Sequence, residues 1–102
     1  MSAQIPVSAL PFPNTVSTGA AVATGSIENV TMQFNFGDFI GVVMPQASYD
    51  GLGNFVDLVT GGVNATCAVV VLGRPFAVRA KTTTATSGST QTASVSGDPA
   101  SS

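Results

Sequence analysis

Residues 29–36 read NVTMQFNF, and this stretch decides the fold class because its side chains alternate in polarity. The apolar positions are Val30, Met32, Phe34 and Phe36, and the polar positions are Asn29, Thr31, Gln33 and Asn35. A period of two places one set on each face of a β-strand, whereas an amphipathic helix repeats its apolar positions every three or four residues. The stretch therefore predicts a strand with one buried face.

Further short apolar segments follow, and turn residues separate them. The segments are FIGVVM (39–44), FVDLVT (55–60), ATCAVVVLG (65–73) and PFAVRAK (75–81). Pro45 is expected to close the first of them, QASYDGLGN (46–54) is expected to form a loop, and Gly61–Gly62 predicts a tight turn. Helical periodicity is absent. We therefore predict an all-β fold, either a small β-barrel or a β-sandwich.

Composition divides the chain into three zones. Residues 1–24 are predicted to form an extended N-terminal arm, because their three prolines restrict the backbone to extended conformations. Residues 25–81 form the β body. In residues 82–102, 12 of the 21 residues are Ser or Thr, and such a segment buries too little apolar surface to offset the entropy lost on ordering. We expect this C-terminal tail to be ordered only against another chain.

The low charge content indicates a surface that other protein covers. Charged residues make up 8% of the chain, compared with about 25% in ordinary soluble domains. A body this small is marginally stable by itself, and a single cysteine with no histidine excludes an internal disulfide and a His-based metal site. We therefore predict a homo-oligomer, either a dimer or a trimer. An ordinary secreted, Ser/Thr-rich β-domain is the alternative interpretation.

Charge and hydropathy also exclude several classes of partner. The net charge is −2, whereas proteins that bind nucleic acid need many Lys and Arg residues to neutralise phosphates. No apolar run approaches the 18 or so residues of a membrane helix, and the first 26 residues carry no basic residue of the kind that begins an export signal. We therefore expect synthesis in a cytoplasm, and we interpret the glycosylation sequons at Asn29 and Asn64 as chance matches.

Catalytic chemistry has few candidate residues. Without histidine, Cys67 and the serines lack the usual general base, and Cys67 stands in an apolar strand where a thiol behaves as a small hydrophobic group. The carboxylates are scattered over turns without a pairing pattern. Asp50, Asn54 and Asp57 are oxygen donors of the type that calcium prefers, but their spacing also fits ordinary turns. We predict no enzyme activity, no cofactor and no metal.

Five residues are candidates for contact with a partner protein. Arg74, Arg79 and Lys81 are the three basic residues of the chain, and strand alternation places Arg79 and Lys81 opposite Phe76 and Val78. They either form the solvated face of an edge strand or meet carboxylates of a partner. The other two candidates are the apolar residues of LPFP, Leu10 and Phe12, which either anchor a partner or fold back on the core of the chain itself.

The segment FIGVVMPQASYDGLGNFVDLVTGGVNATCAVVVLGRPFAVRA (39–80) resembles the small cement, or head-decoration, proteins of tailed-bacteriophage capsids. In that family an Ile-Gly-Val strand, a loop, a Val-rich strand and a Gly-x-aromatic-Val strand follow one another. Here they correspond to residues 40–42, 69–72 and 73–78, with Pro75 and Phe76 departing from the usual aromatic-Val step. The resemblance implies a virion structural protein that binds the outer surface of a shell of major capsid protein and stabilises it.

Two other functions fit the same features. One is a self-assembling fibre, tail-tube or surface-layer subunit, which would polymerise without a capsid. The other is a carbohydrate-binding module on a β-fold. The chain has no tryptophan and a single tyrosine, Tyr49, which limits the flat aromatic surface that a sugar could stack on.

Overall fold

The computed structural model describes residues 7–51 and 53–99, and the strands and turns of these residues form one all-β unit without a helix. Nine strands lie in these ranges: β1 (Val7–Ala9), β2 (Ser17–Thr18), β3 (Val22–Ala23), β4 (Ile27–Asn35), β5 (Ile40–Ser48), β6 (Phe55–Asp57), β7 (Cys67–Val70), β8 (Ala77–Ser87) and β9 (Thr92–Pro99). The predicted all-β class is confirmed.

The strands form two antiparallel sheets, so the sandwich is the architecture found. Sheet 1 has the order β1-β9-β4-β7, and sheet 2 has the order β2-β8-β5-β6 with β3 also paired to β8. Six connections cross between the sheets: β1 to β2, β3 to β4, β4 to β5, β6 to β7, β7 to β8 and β8 to β9. We call the end with turns 36–39 and 88–91 the basal end, and the end with residues 49–51, 53–54 and 71–76 the apical end.

The core lies between the two sheets and follows the alternation of β4. Val30, Met32 and Phe34 are at most 1% exposed, whereas Gln33 and Asn35 face solvent. Facing side chains come from both sheets and from the turns: Val43, Ala47, Val69, Val71, Val78, Ala80 and Val95. The prediction that NVTMQFNF is a strand with one buried face is therefore confirmed.

Strand β5 is longer than predicted because Pro45 does not close it. The strand continues to Ser48, and Pro45 lies opposite Ala80 of β8. The carbonyl oxygen of Pro45 accepts a hydrogen bond from the backbone N–H of Leu58 at 3.0 Å, so its nitrogen also points to the β6 side. Strand β6 ends at Asp57, and the missing N–H therefore costs one hydrogen bond at a sheet edge.

The structure differs from the predicted division into body and C-terminal tail. Residues 82–87 are the second half of β8, and residues 92–99 form β9 between β1 and β4. Backbone hydrogen bonds to neighbouring strands supply the order that the Ser/Thr side chains cannot, and Val95 adds a core side chain that is 2% exposed. Residues 82–99 are therefore ordered by this chain itself, and residues 100–102 lie outside the described range.

The N-terminal arm also belongs to the sandwich over residues 7–24. Strand β1 pairs with β9, while β2 and β3 pair with different parts of β8. The buried hydroxyl of Thr82 donates a hydrogen bond to the carbonyl oxygen of Pro13 at 2.6 Å, and the hydroxyl of Thr24 donates to the carbonyl oxygen of Pro75 at 2.7 Å. Residues 1–6 of the predicted arm lie outside the described range.

Candidate protein-docking surface

Leu10 and Phe12 are core residues, which corrects their selection as partner anchors. Leu10 is 3% exposed and Phe12 is 9% exposed. The Phe12 ring makes edge contacts with the rings of Phe34, Phe36 and Phe39 at centroid distances of 5.2–5.6 Å. Of the two alternatives for LPFP, the structure shows the segment folded back on the core of its own chain. Three aromatic neighbours give the Phe12 ring a site shielded from water.

Two of the three basic residues project from the outer face of sheet 2. Arg79 and Lys81 alternate with the buried Val78 and Ala80, as strand geometry predicts. Phe76 is an exception to the predicted alternation, because it precedes β8 and is 54% exposed. The two basic side chains therefore share a face, but Phe76 does not lie in the core.

Arg79 is held by residues of its own chain. Its Cζ lies 3.9 Å from the centroid of the Phe55 ring, and its Nε–H donates to Oε1 of Gln46 at 2.8 Å. The amide of Gln46 in turn donates to Oδ1 of Asp57 at 2.8 Å. This arrangement orients the guanidinium but also occupies one of its donors, whereas the side chain of Lys81 is exposed.

Arg74, the third basic residue, lies at the apical end among exposed apolar side chains. We define the apical patch as Tyr49, Leu72, Arg74 and Phe76. Leu72 is 78% exposed, Phe76 is 54% exposed and Tyr49 is 40% exposed. Beside them is a depression of about 250 Å³ lined by Gly25, Ile27, Arg74, Pro75 and Phe76. Exposed apolar residues gathered in one place are typical of surfaces that bind other proteins.

Hydrogen bonds fix the backbone under the apical patch. The hydroxyl of Tyr49 donates to the carbonyl oxygen of Leu72 at 2.6 Å, which ties the end of β5 to the end of β7. The backbone N–H of Phe76 donates to the carbonyl oxygen of Ser48 at 2.8 Å. The patch is therefore presented on a supported surface, and binding it requires little ordering of the main chain.

Sequence reasoning selected Arg74 but missed the other three members of the patch. Leu72 lies in an unbroken apolar run, where alternation cannot distinguish inward from outward positions. Phe76 was assigned to a strand that begins at Ala77. The one available signal was the placement of Tyr49 and Phe76 next to Asp, Gly and Arg-Pro turn residues, which is more typical of exposed loops than of strand interiors.

The outer face of sheet 1 is a second distinctive surface, and it is largely polar, with the charged residues Glu28 and Asp98 opposite each other at its apical end. Away from that end, its side chains are Thr31, Gln33 and Asn35 of β4, Ala68 and Val70 of the edge strand β7, and Thr92, Ser94 and Ser96 of β9. A shallow hollow of about 440 Å³ lies towards the basal end of this face, lined by Gln33, Asn35, Thr66, Ala68 and Ser94 among others. This uncharged part of the face can contact protein without desolvating an ionised group.

The cysteine and the acidic side chains of the described residues show no arrangement for catalysis or metal binding. Cys67 is a free, half-buried thiol, and burial raises its pKa, so the fraction of nucleophilic thiolate is reduced. Asp50, one of the calcium candidates, accepts hydrogen bonds from Ser48 at 3.2 Å and Asn54 at 2.6 Å. Over residues 7–51 and 53–99, no three His, Cys, Asp or Glu side chains are grouped as metal ligands, and no helix of membrane-spanning length and hydropathy is present.

Comparisons of the chain with protein-family models, with curated proteins and with solved structures find no match. The function is therefore argued from the surfaces that the chain presents. The apical patch combines aromatic, aliphatic and guanidinium groups, which are enriched in the centres of protein interfaces.

Proposed function

We propose that this protein is a non-enzymatic capsid cement protein, a virion component that binds the outer surface of an assembled shell of major capsid protein. The observation that carries the proposal is the apical patch, where three exposed large apolar side chains lie at the same end of the sandwich as the exposed Arg74. The low charge content of the chain supports it, because a sparsely charged surface is suited to burial against protein.

The patch supplies two kinds of contact to a shell surface. Phe76 and Leu72 offer apolar area that a recess between capsid subunits can bury, and Arg74 offers a planar set of donors for a carboxylate at the rim of that recess. Lys81 on the outer face of sheet 2 adds a long-range attraction for acidic groups, which salt weakens. In this proposal Leu10 and Phe12 act only through the stability of the fold.

Binding to empty shells tests the proposal directly. Shells are assembled from the major capsid protein encoded in the same genome, and the purified protein is added at increasing concentration. We expect saturable co-sedimentation and a higher melting temperature of the shells, because a ligand that binds only the assembled state stabilises that state. Failure to bind the shells or to raise their melting temperature would contradict the proposal.

Substitutions in the patch distinguish specific docking from adhesion. Phe76→Ala and Arg74→Glu should each weaken shell binding at least about tenfold, as truncation of a central interface residue commonly does. Val16→Ala is the matched control, because Val16 is a similarly exposed apolar residue, at 66%, outside the apical patch. If all three variants bind the shells equally well, the apical patch is not part of the interface.

A self-assembling fibre or surface-layer subunit is the second candidate function. It is favoured by the free edge of β7, an apolar strand at the border of sheet 1. Under this alternative the purified protein forms long polymers without shells, which negative-stain microscopy detects.

The carbohydrate-binding alternative depends on the ring of Tyr49. Its hydroxyl already donates to Leu72, so the exposed part of the ring is the surface left for a sugar. A glycan-array signal that Tyr49→Ala abolishes would support this alternative instead.

A further inference from the structure

The outer edge of β7 presents backbone groups that no other strand of the described sheets covers. Strand β7 pairs with β4 on one side only, in a register that places Val69 opposite Met32. The backbone N–H of Val71 donates to the carbonyl oxygen of Val30 at 2.9 Å. Odd-numbered residues therefore direct their backbone groups towards β4, and Ala68 and Val70 direct theirs away from the sheet.

The contact between Tyr49 and Leu72 limits the length of this edge. The carbonyl oxygen of Leu72 also points away from β4, and it accepts the hydroxyl of Tyr49 at 2.6 Å. The edge available to another strand consequently centres on Ala68 and Val70.

Strand β7 is the longest edge strand of the described sheets, at four residues, and neither charge nor proline protects it. Natural edge strands avoid unwanted pairing by being very short or by carrying charges or proline. Strand β1 is three residues long with Pro11 close behind it, β2 and β3 have two residues each, and β6 has three residues and ends in Asp57. Residues 58–73, which include β7, contain neither a charged residue nor a proline.

The outer side chains along β7 increase in size from one end to the other. Thr66 and Ala68 lie at the basal end, beside the hollow of about 440 Å³. Val70 and Leu72 lie towards the apical end and are 69% and 78% exposed. A two-fold rotation reverses the strand direction, so it brings the large residues of one copy beside the small residues of another.

We propose that β7 pairs antiparallel with β7 of a second copy of this chain, about a two-fold axis at Val69. In this register Ala68 lies opposite Val70 of the second copy, and the two symmetric pairs form four backbone hydrogen bonds. Leu72 lies beside Thr66 of the second copy, next to its hollow. Sheet 1 then continues as eight strands across the dimer, and each Val70 side chain packs beside Ala68 of the second copy on the outer face.

Charge does not oppose this pairing. Each copy carries a net charge of −2, but the outer face of sheet 1 next to β7 consists of Thr, Gln, Asn, Ala and Ser side chains. The two faces meet without like charges at the contact, so dimerisation should depend weakly on salt.

Sedimentation equilibrium of the purified chain tests the dimer. We expect a monomer–dimer equilibrium, which Val70→Lys should weaken at least about tenfold, because it removes the apolar contact with Ala68 of the second copy and places a charge on the pairing strand. Val16→Lys is the control, because it introduces the same charge at a site of similar exposure and should leave the equilibrium unchanged. The inference is overturned if the wild-type chain is monomeric throughout, if both variants behave alike, or if open polymers form.

Disulfide trapping tests the register. In a Cys67→Ala background, chains with Ala68→Cys are mixed with chains with Val70→Cys under mild oxidation. We expect the mixed disulfide dimer to exceed either homodimer, because the two positions lie opposite each other. A predominant Val70→Cys homodimer would contradict the register.

The dimer and the binding to capsid shells are tested by separate measurements, so either proposal can be refuted without the other. Dimerisation is measured without shells, and Phe76→Ala should leave it unchanged. Shell binding is measured with Phe76 and Arg74 variants that keep β7 intact. Leu72 lies at the border of both surfaces and is therefore left unchanged in both experiments.

Discussion

Asp38 joins the two basal turns through a single carboxylate oxygen. Its Oδ1 accepts hydrogen bonds from the backbone N–H of Ser89 at 3.0 Å, from that of Thr90 at 2.9 Å and from the Thr90 hydroxyl. The approach of the turns also requires Gly88, which has a φ of 98° and whose Cβ, if present, would collide with the Asp38 carbonyl. These residues connect β4–β5 with β8–β9 at one end of the sandwich.

Hydrogen bonding makes the contribution of Asp38 to stability dependent on pH. The bonds from Thr90, with smaller help from Ser89, lower its pKa below the ordinary value of 3.8. A carboxyl whose pKa is depressed by folding stabilises the fold above its unfolded-state pKa, and this stabilisation is lost as the pH falls through the folded-state pKa. We expect Asp38→Asn to lower the urea midpoint at neutral pH and to reduce the further loss below pH 3.8. Asp57→Asn, which removes the same charge elsewhere, is the control, and equal acid sensitivity in the two variants would contradict the prediction.

Asn29 occupies a backbone conformation that few side chains adopt. It lies in the irregularity of β4 between Glu28 and Thr31 with a φ of 55°, and its Nδ2 donates to Asp98 at 2.9 Å. We expect Asn29→Val to lower the free energy of unfolding by roughly 1–2 kcal/mol, because a β-branched residue is strained in the left-handed region. Asn29→Gly should cost less, and urea denaturation of both variants measures the difference. Equal costs of the two variants would contradict the prediction and would show that the Asp98 contact, which both variants remove, dominates.

At the scale of the elements, the N-terminal segment is part of the core rather than an appendage. Strands β1, β2 and β3 are short, but the segment between β1 and β2 places Leu10 and Phe12 between the sheets. Its pairing partners, β8 and β9, come from the other end of the sequence. The short strands are therefore stabilised by long-range contacts and not by their own propensity.

Removing the Phe12 ring should destabilise the whole sandwich. We expect Phe12→Ala to lower the free energy of unfolding by about 3–5 kcal/mol, because it leaves a cavity among Phe34, Phe36 and Phe39. Phe76→Ala removes the same ring from an exposed site and should cost about 0.5 kcal/mol or less. Chemical denaturation measures both values, and a small effect of Phe12→Ala would return Phe12 to the set of candidate surface anchors.

The elements that can be predicted from the sequence are those in which the pattern of apolar and polar side chains follows burial. Alternation in β4 gave its buried face, and Gly61–Gly62 has the positive φ values, 77° and 80°, of a tight turn. The sequence could not predict β9, because its Ser and Thr residues are ordered by backbone pairing with strands that are distant in sequence. Nor could it separate the inward Val71 from the outward Leu72 in an unbroken apolar run.

For the whole molecule, the scarcity of charge dominates solution behaviour. The chain has three basic and five acidic residues, a pI of about 4.4 and a mean hydropathy of +0.41. Little electrostatic repulsion separates two copies near neutral pH, so charge does not oppose the dimer proposed at the free edge of β7.

Solubility should therefore pass through a minimum close to the pI. We expect light scattering to rise as the pH approaches 4.4 from neutrality, because the net charge falls to zero. Val16→Lys adds one positive charge at an exposed site and should move the minimum to higher pH. A scattering profile that does not respond to this added charge would mean that repulsion plays no part in keeping the chain dispersed.

The position of β9 has a consequence for how the protein is made. This strand lies between β1 and β4, so sheet 1 is incomplete until residues 92–99 have been synthesised. While the nascent chain grows on the ribosome, the apolar face of β4 has no complete sheet to bury it. We therefore expect sheet 1 to form only after residues 92–99 have been synthesised, and ribosome stalling before that point should release aggregation-prone fragments that depend on chaperones.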